Sequence, residues 1–241
     1  MSTEPHPEKS GLTTHWICER YEATRARLPA ARFPDRSDRA ERLLDLVDEF
    51  DVFVLDAFGV LNVGTTVVPG ALETIERIQA AGKRAIVLTN GATLPESAIQ
   101  KKFEHWGYRF PPGDIVASRR ILARALERDT VPSVWGIAAP AHAMVDELPG
   151  RPLRLLDDRE AYDRVDGFIL LSSGDWTEAR QRLLAESLRQ RPRPLWVANP
   201  DLVAPRETGF SFEPGYYAHR LADQLGLEPV FFGKPFTNAF D

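Results

Sequence analysis

Cysteine is almost missing: Cys18 is the single one in 241 residues. One thiol cannot close a disulfide within the chain. No His/Cys cluster accompanies it, which excludes a zinc pattern. No basic group is placed to lower its pKa, so Cys18 reads as an ordinary half-buried residue, not a nucleophile. Long apolar runs are absent too; none approaches the roughly 18 residues of a membrane span. The N-terminal MSTEPHPEKSG has no apolar core, so it is not a secretory signal, and residues 1–11, rich in Pro, Glu and Ser, are expected to be disordered. An excess of positive charge is lacking, with 30 Lys and Arg against 35 Asp and Glu, which excludes a general nucleic-acid binder. There is no internal repeat or low-complexity tract. These absences leave a cytoplasmic protein with neither membrane nor nucleic acid as partner.

What is present is ordinary globular composition, 43% hydrophobic and 27% charged, enough for one large domain or a core with an inserted module. The organising stretch is 51–64, DVFVLDAFGVLNVG. Four apolar residues bounded by turn signals predict a strand buried on both faces, in the middle of a parallel sheet. It delivers Asp56 into a turn. Either Asp56 is a surface turn residue or, since open α/β sheets bind ligands at their carboxyl strand ends, it is a nucleophile or metal ligand. Helices are expected over 13–28 and 37–50. Pro69-Gly70 opens another, 71–81, ended by Gly82, and RAIVL at 84–88 is a second strand running into Thr89-Asn90-Gly91. Strand, helix, strand at this spacing predicts a parallel crossover that brings Asp56 and Thr89-Asn90 to one edge. Further strands are expected at 115–118, 133–138, 165–171, 195–198 and 229–232. Helices are expected over 96–106, 119–128, 177–189 and 214–225. This alternation predicts an α/β fold with a mainly parallel sheet.

Three expected strand ends thus carry reactive side chains in order: Asp56, Thr89-Asn90 and Lys234. With VLTNG at 87–91, ANPD at 198–201, EPG at 213–215 and FGKP at 232–235, the set resembles the haloacid dehalogenase (HAD) superfamily. The branch it resembles is class IIA, with its NagD-like and p-nitrophenylphosphatase-like phosphatases, over most of the chain from about residue 48. The resemblance implies a Rossmann-like core and an inserted α/β C2-type cap. The implied limits are a tail and helices over 1–47, core over 48–92 and 197–241, and cap over 93–196. It also implies roles: Asp56 as nucleophile, Lys234 as catalytic cation, and Thr89, Asn90 and Gly91 on the phosphate. Asp201 would touch substrate, and a Mg²⁺ would be held by Asp56 and the Phe58 carbonyl. A carboxylate attacking phosphorus makes an aspartyl-phosphate and splits one hard displacement into two easier ones. Donors and cations around the phosphoryl group, metal included, stabilise its charge.

Two departures stand against that pattern. Phe58 occupies the place, two residues after the nucleophile, where phosphatases of this superfamily carry an acid-base aspartate, and such help is worth about a hundredfold to ten-thousandfold. The family's fourth motif, an acidic pair beyond the lysine, is not in a sequence that stops at Asp241, so Mg²⁺ is expected to be held weakly. The sheet is then expected to have an open edge, to be covered by a second copy or a partner chain. The function expected is a Mg-dependent phosphohydrolase or phosphotransferase acting on a small phosphorylated metabolite, a sugar or nucleotide phosphate. The rival is a catalytically impaired or inactive HAD-fold phosphate-ligand binding protein, or a truncated fragment. Glu213 is expected to orient the helix that follows it, His105, His142 and His219 to be partly exposed, and Trp135, Trp176 and Trp196 to pack in the cap.

Overall fold

Four apolar residues without helical period, Val52–Leu55, do form a strand, β1, in the computed structural model, which describes residues 12–128 and 134–241. Ahead of it stands α1 (Thr14–Thr24). After it come a small hairpin, β2 (Asn62–Val63) and β3 (Thr66–Val67), then α2 (Ala71–Ala80), β4 (Arg84–Thr89), α3 (Glu96–His105), β5 (Ile115–Ala117) and α4 (Ser118–Arg128). The second half holds β6 (Val134–Ala138), β7 (Arg151–Arg154), α5 (Arg159–Arg164), β8 (Gly167–Leu170), α6 (Glu178–Gln190) and β9 (Leu195–Val197). A second hairpin, β10 (Val203–Pro205) and β11 (Phe210–Phe212), leads to α7 (Pro214–Leu225) and β12 (Val230–Phe231). The tail expected to be disordered, 1–11, and Ser133 lie outside the described residues.

The strands gather into two parallel sheets, the α/β architecture expected. One has the order β1-β4-β5, the other β12-β9-β8-β6-β7. In the first, α2 is the crossover: Ile75 and Ile78 bury against Phe53, Leu55, Ala85 and Val87. The register pairs Leu55 with Val87, so Asp56 and Thr89 leave the sheet on the same edge. In the second sheet period two is visible along the central strands. Phe168 and Leu170 face α5, α6 and α7, while Ile169 and Leu171 face α4. Trp135 and Trp196 pack at 4.5 Å on that second face, and Trp176 is buried on the first. The α7 helix begins with Pro214 in its first turn and ends at Gly226, φ 67°, the asymmetry that fixed proline φ and glycine freedom favour.

Several expectations change here. β1 is buried on one face only: Val52 and Val54 are 47% and 59% exposed. Helices cover one side of its sheet, and among the described residues β4 is its one strand neighbour. The expected 37–50 helix reduces to one 3₁₀ turn, Leu43–Leu46. A short helix holds only where packing supports it, and here only Leu44 and Leu46 reach the core. The sheets change over between 117 and 134 rather than at 93, since β5 pairs with β4, and β9 and β12 belong to the second sheet. His219 is 1% exposed, stacked on Phe231, because its helix packs three faces at once. Cys18 is exposed rather than half-buried.

Candidate active site

Parallel strands put all their carboxyl ends at one edge, and here two such edges meet. Asp56 follows β1 and Thr89 ends β4, while Asp201 follows β9 and Lys234 follows β12. Lys234 Nζ lies 2.7 Å from Asp56 Oδ1. The same oxygen accepts from the Ala57 N–H at 2.7 Å, which leaves Oδ2 without a partner among the described contacts. The turn after Asp56 is closed by the N–H groups of Leu61 and Asn62 donating to the Ala57 carbonyl. Gly59, at φ 87°, allows its N–H to reach the Asn62 carbonyl at 2.7 Å, a left-handed geometry that suits glycine.

Asn90 ties the two edges together. Its Nδ2 donates to Asp201 Oδ1 at 2.8 Å and to the Lys234 carbonyl at 2.9 Å, while its Oδ1 accepts from the Lys234 N–H at 2.7 Å. An amide nitrogen has two hydrogens, so the Asn90 side chain is spent on positioning Lys234 and Asp201, and its backbone N–H is the donor it could offer a phosphate. The approach is close. Gly233 sits at φ 121°, and a Cβ there would fall 2.5 Å from Asn90 Oδ1. Thr89 Oγ1 accepts from the Gly91 N–H at 3.1 Å, which keeps the Thr89 hydroxyl proton free to donate.

A cavity of about 330 Å³ opens beside these residues, walled by Ala57, Phe58, Thr89, Gly91 and Asp201. Lys102, Arg206 and Glu213 also line it. Sequence reasoning missed Lys102 and Arg206: they reach the cavity through contacts between separate elements. For Lys102, placement on α3 was the only available signal. Glu213 stands at the N-cap of α7, but its side chain makes no capping hydrogen bond. Its buried carboxylate accepts instead from Ser211 at 2.7 Å, Arg206 at 2.9 Å and Asn199 at 3.1 Å, and burial raises its pKa above the usual carboxylate range.

The metal expectation can be tested on the donors. Mg²⁺ takes about six oxygens in near-octahedral geometry. Asp56 and the Phe58 carbonyl are two, one carboxylate oxygen is engaged by Lys234, and among the described residues no group of three His, Cys, Asp or Glu side chains could hold a metal. These residues do not by themselves fit the ion.

Burial pushes the Asp201 carboxyl up to about 6; the Asn90 hydrogen bond opposes this and the Asp56 charge adds to it. The folded state therefore holds this proton to higher pH than the unfolded chain, so its stabilising contribution is full below 3.8 and is lost as pH rises towards 6. His219 runs the other way. Burial lowers it to about 4 from 6.5, so its contribution is full above 6.5 and is lost as pH falls. Asp201→Asn removes the first dependence alone. The variant's stability relative to the parent should grow by up to about 3 kcal/mol between pH 4 and pH 6.5, at ~1.4 kcal/mol per pKa unit. Thermal unfolding at both pH values reads it; a difference independent of pH would mean that Asp201 titrates as an ordinary carboxyl.

Comparison with known proteins fits this geometry. Residues 53–147 match the family model of haloacid dehalogenase-like hydrolases. Chloroplastic phosphoglycolate phosphatase 1A of Arabidopsis thaliana is 31% identical over 104 residues, 43% of this chain and 28% of its own length; this chain thus aligns with little more than a quarter of that relative. Among solved structures, a possible sugar phosphatase of the HAD superfamily from Cytophaga hutchinsonii superposes with a TM-score of 0.73 at 22% identity, covering 85% of this chain and 74% of that one. A glycerol phosphate phosphatase of Mycobacterium tuberculosis, in complex with magnesium, gives 0.63 at 20% identity over 81% and 58%. No helix among the described residues is long and apolar enough to cross a membrane.

Proposed function

We propose that this chain, haloacid dehalogenase-like over residues 53–147, carries a phosphohydrolase or phosphotransferase site for small phosphorylated metabolites, working in the cytoplasm through an aspartyl-phosphate on Asp56. The 2.7 Å approach of Lys234 Nζ to Asp56 Oδ1, 178 positions apart in the sequence (234 − 56), carries the reading. Asp56 Oδ2 would attack phosphorus, its O–P bond forming as the ester P–O bond breaks, and the leaving alkoxide would take a proton from solvent. Lys234 and the Thr89 hydroxyl would hold the phosphoryl oxygens as charge moves onto them. Water would then form an O–P bond as the aspartyl P–O bond breaks, releasing inorganic phosphate and restoring the carboxylate. The phosphoglycolate, sugar and glycerol phosphate phosphatases among the similar proteins support a small phosphate ester as substrate. Sugar and nucleotide phosphates are included in the proposal. Dependence on Mg²⁺, weakly held, is also included, though no step above is routed through it.

Phe58 favours a second reading, a protein that binds phosphate esters without hydrolysing them. Turnover of p-nitrophenyl phosphate over a Mg²⁺ titration separates the two. Hydrolysis at any point of the titration is the result expected. Stabilisation by inorganic phosphate in thermal unfolding, with no turnover at any Mg²⁺ concentration, would leave only the second reading standing.

A further inference from the structure

α1 stands ahead of the span 53–147 that matches the family model, yet it is fastened to α7 and to the β10–β11 hairpin. Arg20 and Arg27 both pair with Asp223 of α7 at 2.6 Å, and the Trp16 ring centroid lies 6.0 Å from those of Phe212 and Tyr216. These contacts set the place of Tyr21. Its phenol oxygen accepts from the Leu202 N–H at 3.2 Å, across 181 positions of sequence. Burial and the Asp201 charge push Tyr21 up to about 12, so the phenol stays neutral. Tyr21 does not line the cavity; what it does for the chemistry, it does through the loop that carries Leu202.

A satisfied backbone N–H would by itself be a matter of stability. What the loop bears gives the contact more weight. Asp201 immediately precedes Leu202, and its Oδ1 accepts from Asn90 Nδ2, the amide whose other hydrogen and oxygen hold the Lys234 backbone. The loop has little room to settle elsewhere: a Cβ on Gly215 would fall 2.0 Å from the Pro200 carbonyl oxygen, and one on Gly233, next to Lys234, 3.1 Å from Pro200 Cδ. In packing this close, loop and lysine shift together. We propose that Tyr21 is a positioning residue of the phosphate-ester site: its grip on Leu202 fixes Asp201, and through Asn90 it holds Lys234 in place against Asp56. The inference rests on the phosphate-ester reading above and adds to it a helix outside the family-matching span. A cation that stabilises charge moving onto phosphoryl oxygens matters most in the transition state, so loosening it should show in kcat rather than in KM.

Tyr21→Phe keeps the ring and removes the oxygen. A shift of about 1 Å at a reacting group can cost about a hundredfold. With one hydrogen bond of several lost, kcat for p-nitrophenyl phosphate is expected to fall about tenfold and KM to change less than about twofold, the unfolding temperature staying within a few degrees of the parent. An unchanged kcat, or a loss carried wholly by KM, overturns the proposal. A double-mutant cycle separates a merely structural role. Asp201→Ala cuts the path from the loop to Asn90, so adding Tyr21→Phe to it should change kcat less than about twofold; a further loss of about tenfold there overturns the path. Should the parent show no turnover at any Mg²⁺ concentration, the hydrolytic reading fails, and calorimetric binding of orthovanadate, whose five-coordinate adducts resemble the transferring phosphoryl group, decides the inference on the same four chains. A Kd about tenfold higher in Tyr21→Phe, with no such difference between the two Asp201→Ala chains, supports it; equal Kd values, or no binding by the parent, overturn it.

Discussion

Asp56→Asn is expected to lower kcat for p-nitrophenyl phosphate by about a thousandfold or more, on the order of what removal of a covalent nucleophile costs. The substitution changes charge and nucleophilicity while keeping shape. The carboxamide has no anionic oxygen to attack phosphorus, yet its Oδ1 can still accept from the Ala57 N–H and from Lys234, the two contacts the carboxylate makes now. The side chain is 45% exposed, so the fold does not depend on its charge, and the unfolding temperature should shift by only a few degrees. Phosphate binding should persist or tighten, because a negative neighbour has been removed. Loss of turnover with binding and stability kept is the signature of a nucleophile. Turnover that survives would remove Asp56 from the chemistry, and the aspartyl-phosphate with it.

Asp56, Thr89 and Lys234 could be placed from sequence because each follows a short apolar run, and the geometry of a parallel crossover then decides which ends share an edge. The Leu55–Val87 and Thr89–Ala117 registers follow from local pattern in this way. What escaped depends on which surfaces meet. The period of 37–50 is helical, but helicity needs a packed face, and most of the segment is exposed. The apolar run of β1 reads as buried on both faces, since a sequence does not say how many layers cover a strand. Asn90 was legible as a strand-end polar residue; that its amide is spent on Lys234 and Asp201 is a property of a loop 144 residues away. Lys102 and Arg206 look like surface cations until α3 and the β10–β11 hairpin bring them to 5.5 and 5.2 Å from the Phe58 ring centroid. Glu207 reaches from that hairpin to the Thr65 N–H at 2.6 Å, joining it to the β2–β3 turn, a contact between two loops that periodicity cannot reveal.

Phe58→Asp is expected to act in the opposite direction to Asp56→Asn, raising steady-state hydrolysis by about a hundredfold to ten-thousandfold, the range of general acid-base help. On the proposed mechanism Phe58 offers no base to the second half-reaction, so phosphoenzyme should accumulate and limit turnover. A carboxylate two residues after the nucleophile would deprotonate the attacking water. Its surroundings decide which half-reaction gains more. Between Lys102 and Arg206 an acid is held ionised, since opposite charges within a few ångströms lower its pKa, which makes it a better base for water than acid for a leaving group. The gain should therefore be largest with p-nitrophenyl phosphate, whose leaving group needs no proton, and smaller with alkyl esters such as glycerol 3-phosphate. Burst kinetics separate the steps: a burst in the parent that disappears in Phe58→Asp is the expected result. A variant no faster than the parent, with no burst in either, would mean that phosphoenzyme breakdown does not limit the parent and that Phe58 is not standing in a catalytic position.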